Sequence, residues 1–475
     1  MLRLRRSSSS ASTQRFELQQ LRAPVEQLCF EIIKEYKIDP STVTICIDKH
    51  GVPRYLVNEP ELDEEGRRLY SMIMEHMYTS TFRIDSEDEL RKALEEVVED
   101  LGVRPWYEKY REILWYYIRR DSFGYGVLDT LFRDPDVEDI ELSDWRRPVT
   151  VVHRGFLGFE ALVTNVSFRS EEEARSVIER LALKTGRSIS LAKPELHAAL
   201  PEGYRIAATL GDPVSASPTF SIRKFPPVPI DVITLINEEV VDPKIAALVW
   251  LLNDAKMFYV VIGGSGSGKT TLLNALLQLS NPMWKIVVVQ DIPELRLPSR
   301  PRFIQLFGES SEEQLKRCIT ALRYRPDILV VGEVRGKEIR ALVRAVASGS
   351  GSATTFHAAT PGEFEMALRN LLPRDLFVML SLNAGVALFI SKIREGRKVV
   401  RRVVAVYERC NGSWNTIYVY GRIDAIERST TLKRIGERLR IEDPVEELKR
   451  REEFLKSIPS GYDNVEHFLK KFYGV

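Results

Sequence analysis

A glycine-rich turn between an apolar strand and a helix constrains this chain more than any other feature. Residues 263–268 read Gly-Gly-Ser-Gly-Ser-Gly and are followed by Lys269 and Thr270, which is the spacing GxxxxGK[ST]. The apolar residues 259–262 come directly before the turn, and a helix is predicted to begin near Lys269. Glycines let the backbone curl so that successive N–H groups converge on phosphate oxygens at a helix N-terminus. The turn therefore predicts a phosphate-binding loop.

The residue types in this loop predict ATP and Mg²⁺ as its ligands. Lys269 should reach the β- and γ-phosphates, and the Thr270 hydroxyl should ligate Mg²⁺. A chance match in an ordinary glycine-rich turn is the alternative, and the order strand, loop, helix argues against it. The predicted nucleotide contacts are Gly263, Gly264, Ser265, Gly266, Ser267, Gly268, Lys269, Thr270 and Thr271.

Apolar and β-branched runs alternate with amphipathic segments in the second half of the chain. Strands are predicted at 257–262, 285–289, 328–331 and 353–356, each followed by a polar or glycine-rich turn. This alternation of strands and helices is typical of a parallel α/β sheet.

Three of these strands are followed by residues that could act on phosphate. Glu333 ends one strand at a position where phosphate-loop enzymes hold the hydration shell of Mg²⁺, although a surface acid after a buried strand is the simpler alternative. Asp291 and Glu294 follow another strand and could orient or deprotonate a water, or belong to a solvated turn. His357 ends a third strand, and a lone histidine is either structural or a sensor of the γ-phosphate. The residues alone leave these alternatives open.

The length of 475 residues corresponds to about three domains. The proline-rich residues 225–230 are the best linker candidate, because such a segment is extended and stiff. The predicted division is a disordered tail at 1–15, a mixed and mainly helical region at 16–120, a small α+β domain at 121–225, a linker or hinge at 226–240 and the α/β domain at 241–475.

Local patterns add detail to the first half of the chain. Apolar spacing predicts a helix over 25–33, followed by two short strands at 43–47 and 55–57. Ser86 and Ser170 each stand three residues before a glutamate, which predicts a capping box at a helix start. The acidic helix after Ser86 is either a solvated face or a docking surface for a basic partner.

Charge and cysteine content exclude some classes of protein. The 68 basic and 67 acidic residues give a net charge of +1, which argues against a dedicated nucleic-acid binder but leaves room for local patches. The basic stretch 392–402 is a solvated strand pair or a surface that touches a membrane or partner. The four cysteines stand far apart, so neither a disulfide framework nor a zinc ribbon is expected, and a reducing compartment is the default. No apolar run reaches the ~18 residues that span a bilayer.

Taken together, the four segments resemble the ATPases of type II secretion, type IV pili, archaella and type IV conjugative secretion. In that family the phosphate loop is the Walker A motif, residues 291–295 are the Asp box, residues 331–338 are the Walker B motif and residues 354–358 are the His box. The resemblance covers about residues 121–410. It implies an α/β fold with a RecA-like parallel-sheet P-loop ATPase domain, preceded by a small α+β domain and an extra, mainly helical N-terminal region.

The resemblance also implies roles for individual residues. Glu294 becomes the general base or water-orienting residue with Asp291 beside it, and His357 couples phosphate state to domain movement. Mg²⁺ is implied to be held by Thr270, Glu333 and Asp291, partly through water. Arg205 and Arg223, which alone would be ordinary surface cations, are implied to approach the triphosphate when the small domain closes. Arg335 matches a family arginine for which the sequence offers no independent argument.

The chain departs from the family pattern at three places. Gln290 stands where a glutamate commonly precedes the Asp-box aspartate, and Ser350 stands where many members carry a first histidine. The tetracysteine zinc module of many bacterial type II motors is absent. This absence and the long N-terminal region resemble the archaeal branch of the family.

The implied function is a ring-forming, Mg²⁺-dependent ATPase, most simply a homohexamer. Its implied partner is a polytopic inner-membrane platform protein, with pilin-like or secreted proteins as indirect substrates and no strong evidence for nucleic acid. The expected location is the cytoplasm, peripherally at the inner face of the membrane. The alternatives are a conjugative or DNA-translocating motor, and a nucleotide-binding regulator that does not hydrolyse ATP.

Overall fold

The fold is that of a computed structural model, which describes residues 17–475 except 81, 83, 85, 157, 227, 397, 411 and 412. The tail predicted at 1–15 and Pro227 of the predicted linker lie outside the described residues. The chain divides into two compact units, Met1–Phe225 and Pro226–Val475. No helix among the described residues is both long enough and apolar enough to cross a bilayer.

The first unit is built on one nine-stranded sheet with the strand order β1-β2-β3-β6-β5-β4-β9-β8-β7. Its strands are β1 Cys29–Ile38, β2 Ser41–Asp48, β3 Pro53–Asn58, β4 Val137–Leu142, β5 Thr150–His153, β6 Leu162–Thr164, β7 Glu195–Ala199, β8 Arg205–Thr209 and β9 Thr219–Arg223. Its α-helices are α1 Val25–Leu28, α2 Glu64–Thr79, α3 Glu87–Asp100, α4 Arg104–Ser122, α5 Asp129–Arg133 and α6 Glu171–Lys184.

Segments on both sides of residue 120 share this sheet. Strand β3 pairs in parallel with β6, so that Arg54 lies opposite Val163 and Tyr55 opposite Thr164. Composition along the chain does not reveal such a pairing, because the two strands are about a hundred residues apart. The division predicted at residue 120 therefore falls between two segments of one compact unit.

The helix predicted over 25–33 is wrong for most of its length. Only Val25–Leu28 is helical, and the chain continues as β1, which pairs antiparallel with β2. Ile32 and Ile33 are β-branched, and such residues favour a pleated strand once a neighbour supplies the backbone partners. By contrast, both predicted helix starts are confirmed, with serine as the N-cap: the hydroxyls of Ser86 and Ser170 accept hydrogen bonds from backbone N–H groups three residues later at 3.2 Å.

The structure also corrects the expectation that the cysteines form no disulfide framework. Cys29 and Cys46 form a disulfide bond between β1 and β2, with their Cα atoms 5.7 Å apart. The hairpin brings together two cysteines that are 17 residues apart in the sequence. Spacing alone could not show this pairing, because it depends on which residues of the two strands face each other. Cys318 and Cys410 are free thiols.

The second unit is built on another nine-stranded sheet, with the order β12-β11-β13-β14-β10-β15-β16-β17-β18. Its strands are β10 Phe258–Ile262, β11 Ile286–Gln290, β12 Phe303–Phe307, β13 Ile328–Glu333, β14 Gly351–Phe356, β15 Ala384–Glu395, β16 Lys398–Cys410, β17 Ser413–Val419 and β18 Ile423–Asp424. Its α-helices are α7 Val232–Asn237, α8 Pro243–Asp254, α9 Lys269–Gln278, α10 Ser311–Arg323, α11 Ile339–Ala347, α12 Pro361–Leu371, α13 Arg374–Asn383, α14 Thr430–Leu439, α15 Pro444–Ser457 and α16 Tyr462–Tyr473.

The parallel α/β prediction is confirmed in this unit. Strands β12, β11, β13, β14, β10 and β15 pair in parallel, and the sheet continues through β16–β18 as antiparallel strands. Every residue of β10, β11 and β14 is buried, as expected for a parallel sheet covered on both faces. Because parallel strands end at the same edge, the loops after β10, β11, β13 and β14 meet there.

Candidate active site

The phosphate loop connects β10 to α9 and requires glycine at several positions. Gly266 and Gly268 have φ of +64° and +96°, which side-chain-bearing residues rarely adopt. A Cβ atom on Gly263 would lie 2.3 Å from the carbonyl oxygen of Ile390, so only glycine fits beside β15. The Ser267 hydroxyl donates to Gly264 O at 2.9 Å and closes the loop on itself. The local sequence therefore dictates the shape that phosphate binding needs.

Lys269, the first residue of α9, turns back over the loop. Its Nζ donates to Gly264 O at 2.8 Å, and the side chain is almost entirely buried. Burial lowers the pKa of Lys269, while the negative charges of Glu333 and Glu294 oppose that shift. An ammonium held this way lacks full solvation, so an anion within its reach would stabilise its charged form.

Glu333 and His357 are in direct contact at the edge of the sheet. His357 Nε2 lies 2.8 Å from Glu333 Oε1, and His357 Nδ1 lies 3.5 Å from Lys269 Nζ. The predicted strand acid, the predicted histidine and the loop lysine thus form one continuous cluster. The sequence placed each of them near the end of a different predicted strand but offered no reason to expect the histidine between Lys269 and Glu333.

Arg335 holds the other oxygen of Glu333. Its Nε donates to Glu333 Oε2 at 2.7 Å, and its Nη1 lies 3.6 Å from Asp291 Oδ2. Burial acts to lower the pKa of Arg335, but the hydrogen bond to Glu333 and the charges of Glu333, Asp291 and Glu294 outweigh it and raise the pKa. The guanidinium is therefore a fixed positive charge that joins β13 to the turn after β11.

Glu338 shapes the turn next to Glu333, and the sequence did not identify it. It is fully buried, and its Oε1 accepts hydrogen bonds from the backbone N–H groups of Arg335 and Gly336, while the Ser311 hydroxyl donates to Oε2. These bonds fix the turn that carries Arg335. A glutamate five residues after the strand acid was the available signal, but nothing in its spacing distinguished it from a surface charge.

Asp291 and Glu294 lie in a turn that Gln290 clamps. Gln290 Oε1 accepts from Leu295 N at 2.9 Å, and its Nε2 donates to Leu295 O at 3.2 Å. A glutamate at this position could not donate the second bond, which gives a structural reason for the departure from the family pattern. Glu294 lies close enough to Lys269 and Arg335 for its charge to influence both.

The side chains that could hold Mg²⁺ form an all-oxygen donor set. The Thr270 hydroxyl and the carboxylates of Asp291 and Glu333 are hard ligands of the kind that Mg²⁺ prefers, so the residues fit the ion. Both oxygens of Glu333 already have side-chain partners, His357 and Arg335. Contact through water would leave these two contacts intact, whereas a direct bond from Glu333 to the metal would break one.

Arg205 and Arg223 lie in the first unit, directly opposite each other on two adjacent strands. Arg205 on β8 is the register partner of Arg223 on β9. Arg223 Nε donates to Asp139 Oδ1 at 2.9 Å, and its side chain is half exposed. The structure thus brings the two predicted arginines together and adds Asp139 as an acid that orients one of them.

A second group of ligand-type side chains, Asp134, Asp136 and His153, also lies in the first unit. The hydroxyls of Tyr36 and Tyr55 donate to Asp134 Oδ2 at 2.5 and 2.6 Å. His153 Nε2 lies 3.1 Å from the Tyr36 hydroxyl. These contacts occupy Asp134 Oδ2 and His153 Nε2, so two of the three residues already belong to a hydrogen-bond network.

Comparison with known proteins gives concordant findings. The family described as type II/IV secretion system protein matches residues 155–395. An uncharacterized protein of Methanocaldococcus jannaschii is 31% identical over 402 residues, which cover 78% of this chain and 72% of that protein. The conjugal transfer protein TrbB of Rhizobium radiobacter is 26% identical over 239 residues, covering 49% of this chain and 73% of TrbB.

Solved structures are also similar to the chain. The ATPase DotB of Legionella pneumophila is 16% identical, with a TM-score of 0.46, over 74% of this chain and 91% of DotB.

Proposed function

The chain belongs to the type II/IV secretion system protein family, a family of ATPases, and we propose that it is itself a ring-forming, Mg²⁺-dependent ATPase. In this proposal, ATP hydrolysis drives assembly of a pilus-like filament, or secretion of protein, through a polytopic membrane platform protein. The working form is a homohexamer in the cytoplasm, bound peripherally at the inner face of the membrane through that partner. Pilin-like or secreted proteins are its indirect substrates.

One observation carries the enzymatic part of the proposal. His357 contacts both Lys269 of the phosphate loop and Glu333 at the end of β13. Lys269 is buried and donates a hydrogen bond to a loop carbonyl. When a γ-phosphate binds, Lys269 would give up that bond and donate to the phosphate, because a bond between two charged groups is stronger. The histidine would then lose or gain a partner according to the phosphate state, which is the behaviour expected of a sensor.

The proposed chemistry is in-line attack of water on the γ-phosphate, giving ADP and phosphate. Glu294 orients the water or takes its proton, with Asp291 beside it in the turn clamped by Gln290. Mg²⁺, when bound, would neutralise charge that develops on the phosphate oxygens. Arg205 and Arg223 are proposed as the cations of the first unit that stabilise the same charge.

Steady-state release of phosphate tests the enzymatic proposal. Wild type should hydrolyse ATP in a Mg²⁺-dependent manner, and Glu294→Gln should retain ATP binding but lose about a hundredfold or more in turnover, because the amide cannot accept the proton. Lys269→Ala should lose both tight binding and turnover. If wild type and Glu294→Gln are equally inert while binding ATP, the protein is a nucleotide-binding regulator and the ATPase proposal is wrong.

A DNA-translocating motor is the second candidate, favoured by the similarity to a conjugal transfer protein. The near-zero net charge of the chain does not favour it. The two candidates differ in one measurement: double- or single-stranded DNA should stimulate the ATPase of a DNA motor. We expect no stimulation, and a several-fold increase would replace the secretion proposal with the conjugative one.

A further inference from the structure

A basic hairpin of the second unit lies directly against the phosphate loop. A methyl group built on Gly266 would lie 3.3 Å from the ammonium nitrogen of Lys392, which belongs to β15. A methyl group built on Gly268 would lie 3.3 Å from Cδ and 4.0 Å from Nε of Arg401, which belongs to β16. Ile390 of the same hairpin contacts Gly263. The two cations therefore lie beside loop positions that have no side chain of their own.

Lys392 and Arg401 are also register partners across the hairpin. Like charges directly opposite each other on a sheet repel, which costs stability and favours an anion that lies near both. The next residue of β16, Arg402, is nearly buried and pairs with Glu395 at 2.6 Å and Glu239 at 2.9 Å. Arg402 has the contacts of a structural cation on the opposite face of the strand.

The location adds a second cost. The N-terminus of α9 carries the positive end of the helix dipole, where cations are unfavourable and anions are stabilised. Lys269, Lys392 and Arg401 all lie at this one end of a ten-residue helix. Three cations beside a positive helix end are electrostatically complementary to a polyanion. The exposed loop residues Gly264, Ser265 and Gly266 leave the loop open to such a ligand.

We propose that Lys392 and Arg401 bind the phosphate chain of the nucleotide and set the preference of the site for di- and triphosphates over monophosphates. This inference rests on the proposed function, since it assigns further ligands to the same nucleotide site. Glycine at 266 and 268 has a second purpose here, because a side chain at either position would separate the cation from the loop. Arg401 can bridge two phosphate oxygens with its planar guanidinium, whereas Lys392 contributes a point charge.

Equilibrium binding to full-length protein tests the inference. The ligands are ATP, ADP, AMP, adenosine and inorganic tripolyphosphate, measured by calorimetry with wild type, Lys392→Ala and Arg401→Ala. We expect each variant to lose about tenfold in affinity for ATP, ADP and tripolyphosphate, and little for adenosine, because only charge-assisted bonds to phosphate are removed. Arg394→Ala is the matched control, since Arg394 is an exposed cation on the same strand that donates to Gly396 O. It should bind all five ligands as wild type does.

The outcomes separate this inference from the proposed function. Unchanged affinity for ATP and tripolyphosphate in both variants overturns the inference, and so does an equal loss for every ligand, adenosine included, which would show that the hairpin only holds the loop in shape. An equal loss in Arg394→Ala would indicate a non-specific charge effect and would also overturn it. If wild type binds no ATP, the proposed function fails; if wild type binds and hydrolyses ATP while the variants bind normally, only the inference fails. Thermal unfolding of each variant checks that the fold is retained.

Discussion

His357 Nε2 lies 2.8 Å from Glu333 Oε1. The other nitrogen of the same ring faces Lys269 at 3.5 Å, so one imidazole connects the phosphate loop to the end of β13. Because Arg335 holds the second oxygen of Glu333, a change at the loop lysine can reach the turn after β11 through three side chains. The cluster gives the fold a short route from phosphate occupancy to a neighbouring loop.

Replacing His357 by alanine should affect turnover more than binding. The substitution removes the side chain that contacts both Lys269 and Glu333 but leaves the loop amides and the lysine in place. We expect the rate of hydrolysis to fall by about tenfold or more, and the affinity for ATP to change by less than about threefold. Phosphate release and calorimetric binding measure the two quantities. The control is His467→Ala, since His467 is exposed on α16, and unchanged turnover in His357→Ala would contradict the sensor role.

Two neighbouring loop glycines should respond differently to alanine. A Cβ atom on Gly263 would lie 2.3 Å from Ile390 O, so either the loop or β15 must move. A Cβ atom on Gly264 would have no neighbour within 4 Å. Gly263→Ala should therefore lower the free energy of unfolding by about 2 kcal/mol or more, and Gly264→Ala by less than about 0.5 kcal/mol. Urea denaturation of the two variants provides the comparison, and equal stabilities would mean that the loop does not pack against β15 in this way.

Glu338 should be important for stability although it is not among the predicted ligand contacts. As an acceptor-only carboxylate it accepts three hydrogen bonds in a fully buried position. An amide in its place puts an N–H₂ group where an acceptor is needed, so Glu338→Gln should cost about 1–3 kcal/mol of unfolding free energy. Glu312→Gln, an exposed glutamate on α10, should cost almost nothing. A Glu338→Gln variant as stable as wild type would show that the Arg335 turn does not depend on it.

Lys224 should make the stability of the first unit depend on pH. Burial lowers the pKa of Lys224 to about 7, although the negative charge of Asp134 opposes the shift, and its Nζ donates to Leu131 O at 2.8 Å. Between pH 7 and about 10 the unfolded chain binds a proton at this residue that the folded chain does not, so stability should rise with pH.

Lys224→Met removes that titration and tests whether Lys224 makes the stability rise or fall with pH. Across pH 7.5 to 9.5, the stability of wild type relative to the variant should increase by about 1.4 kcal/mol per pH unit. Loss of the hydrogen bonds from Lys224 Nζ to the carbonyl groups of Leu131 and Asp134 would shift the stability of the variant at every pH but would not change this slope. Urea denaturation at several pH values measures it, with the exposed residue Lys193 changed to methionine as the control. A slope of zero, or one of opposite sign, would contradict a lowered pKa at Lys224.

The sequence predicted the elements around the site well, because each depends on residues that are close in the chain. The strands at 257–262, 285–289, 328–331 and 353–356 correspond to β10, β11, β13 and β14 within a few residues. The caps at Ser86 and Ser170 were predicted for the same reason: a side chain and a backbone N–H three residues later are neighbours at any helix start. The helix expected at 25–33 failed because the partner strand, not the local spacing, decided that segment.

By itself, therefore, the sequence determined that a phosphate loop follows an apolar strand, that Asp291, Glu294, Glu333 and His357 lie at or after the ends of three other strands, and that these segments belong to one family of ATPases. Only the tertiary structure decided that His357 lies between Lys269 and Glu333, that Arg335 joins Glu333 to Asp291, and that Lys392 and Arg401 lie beside the loop. These contacts join residues that are up to about 130 positions apart. Their geometry depends on the order and register of the strands, which local residue patterns do not encode.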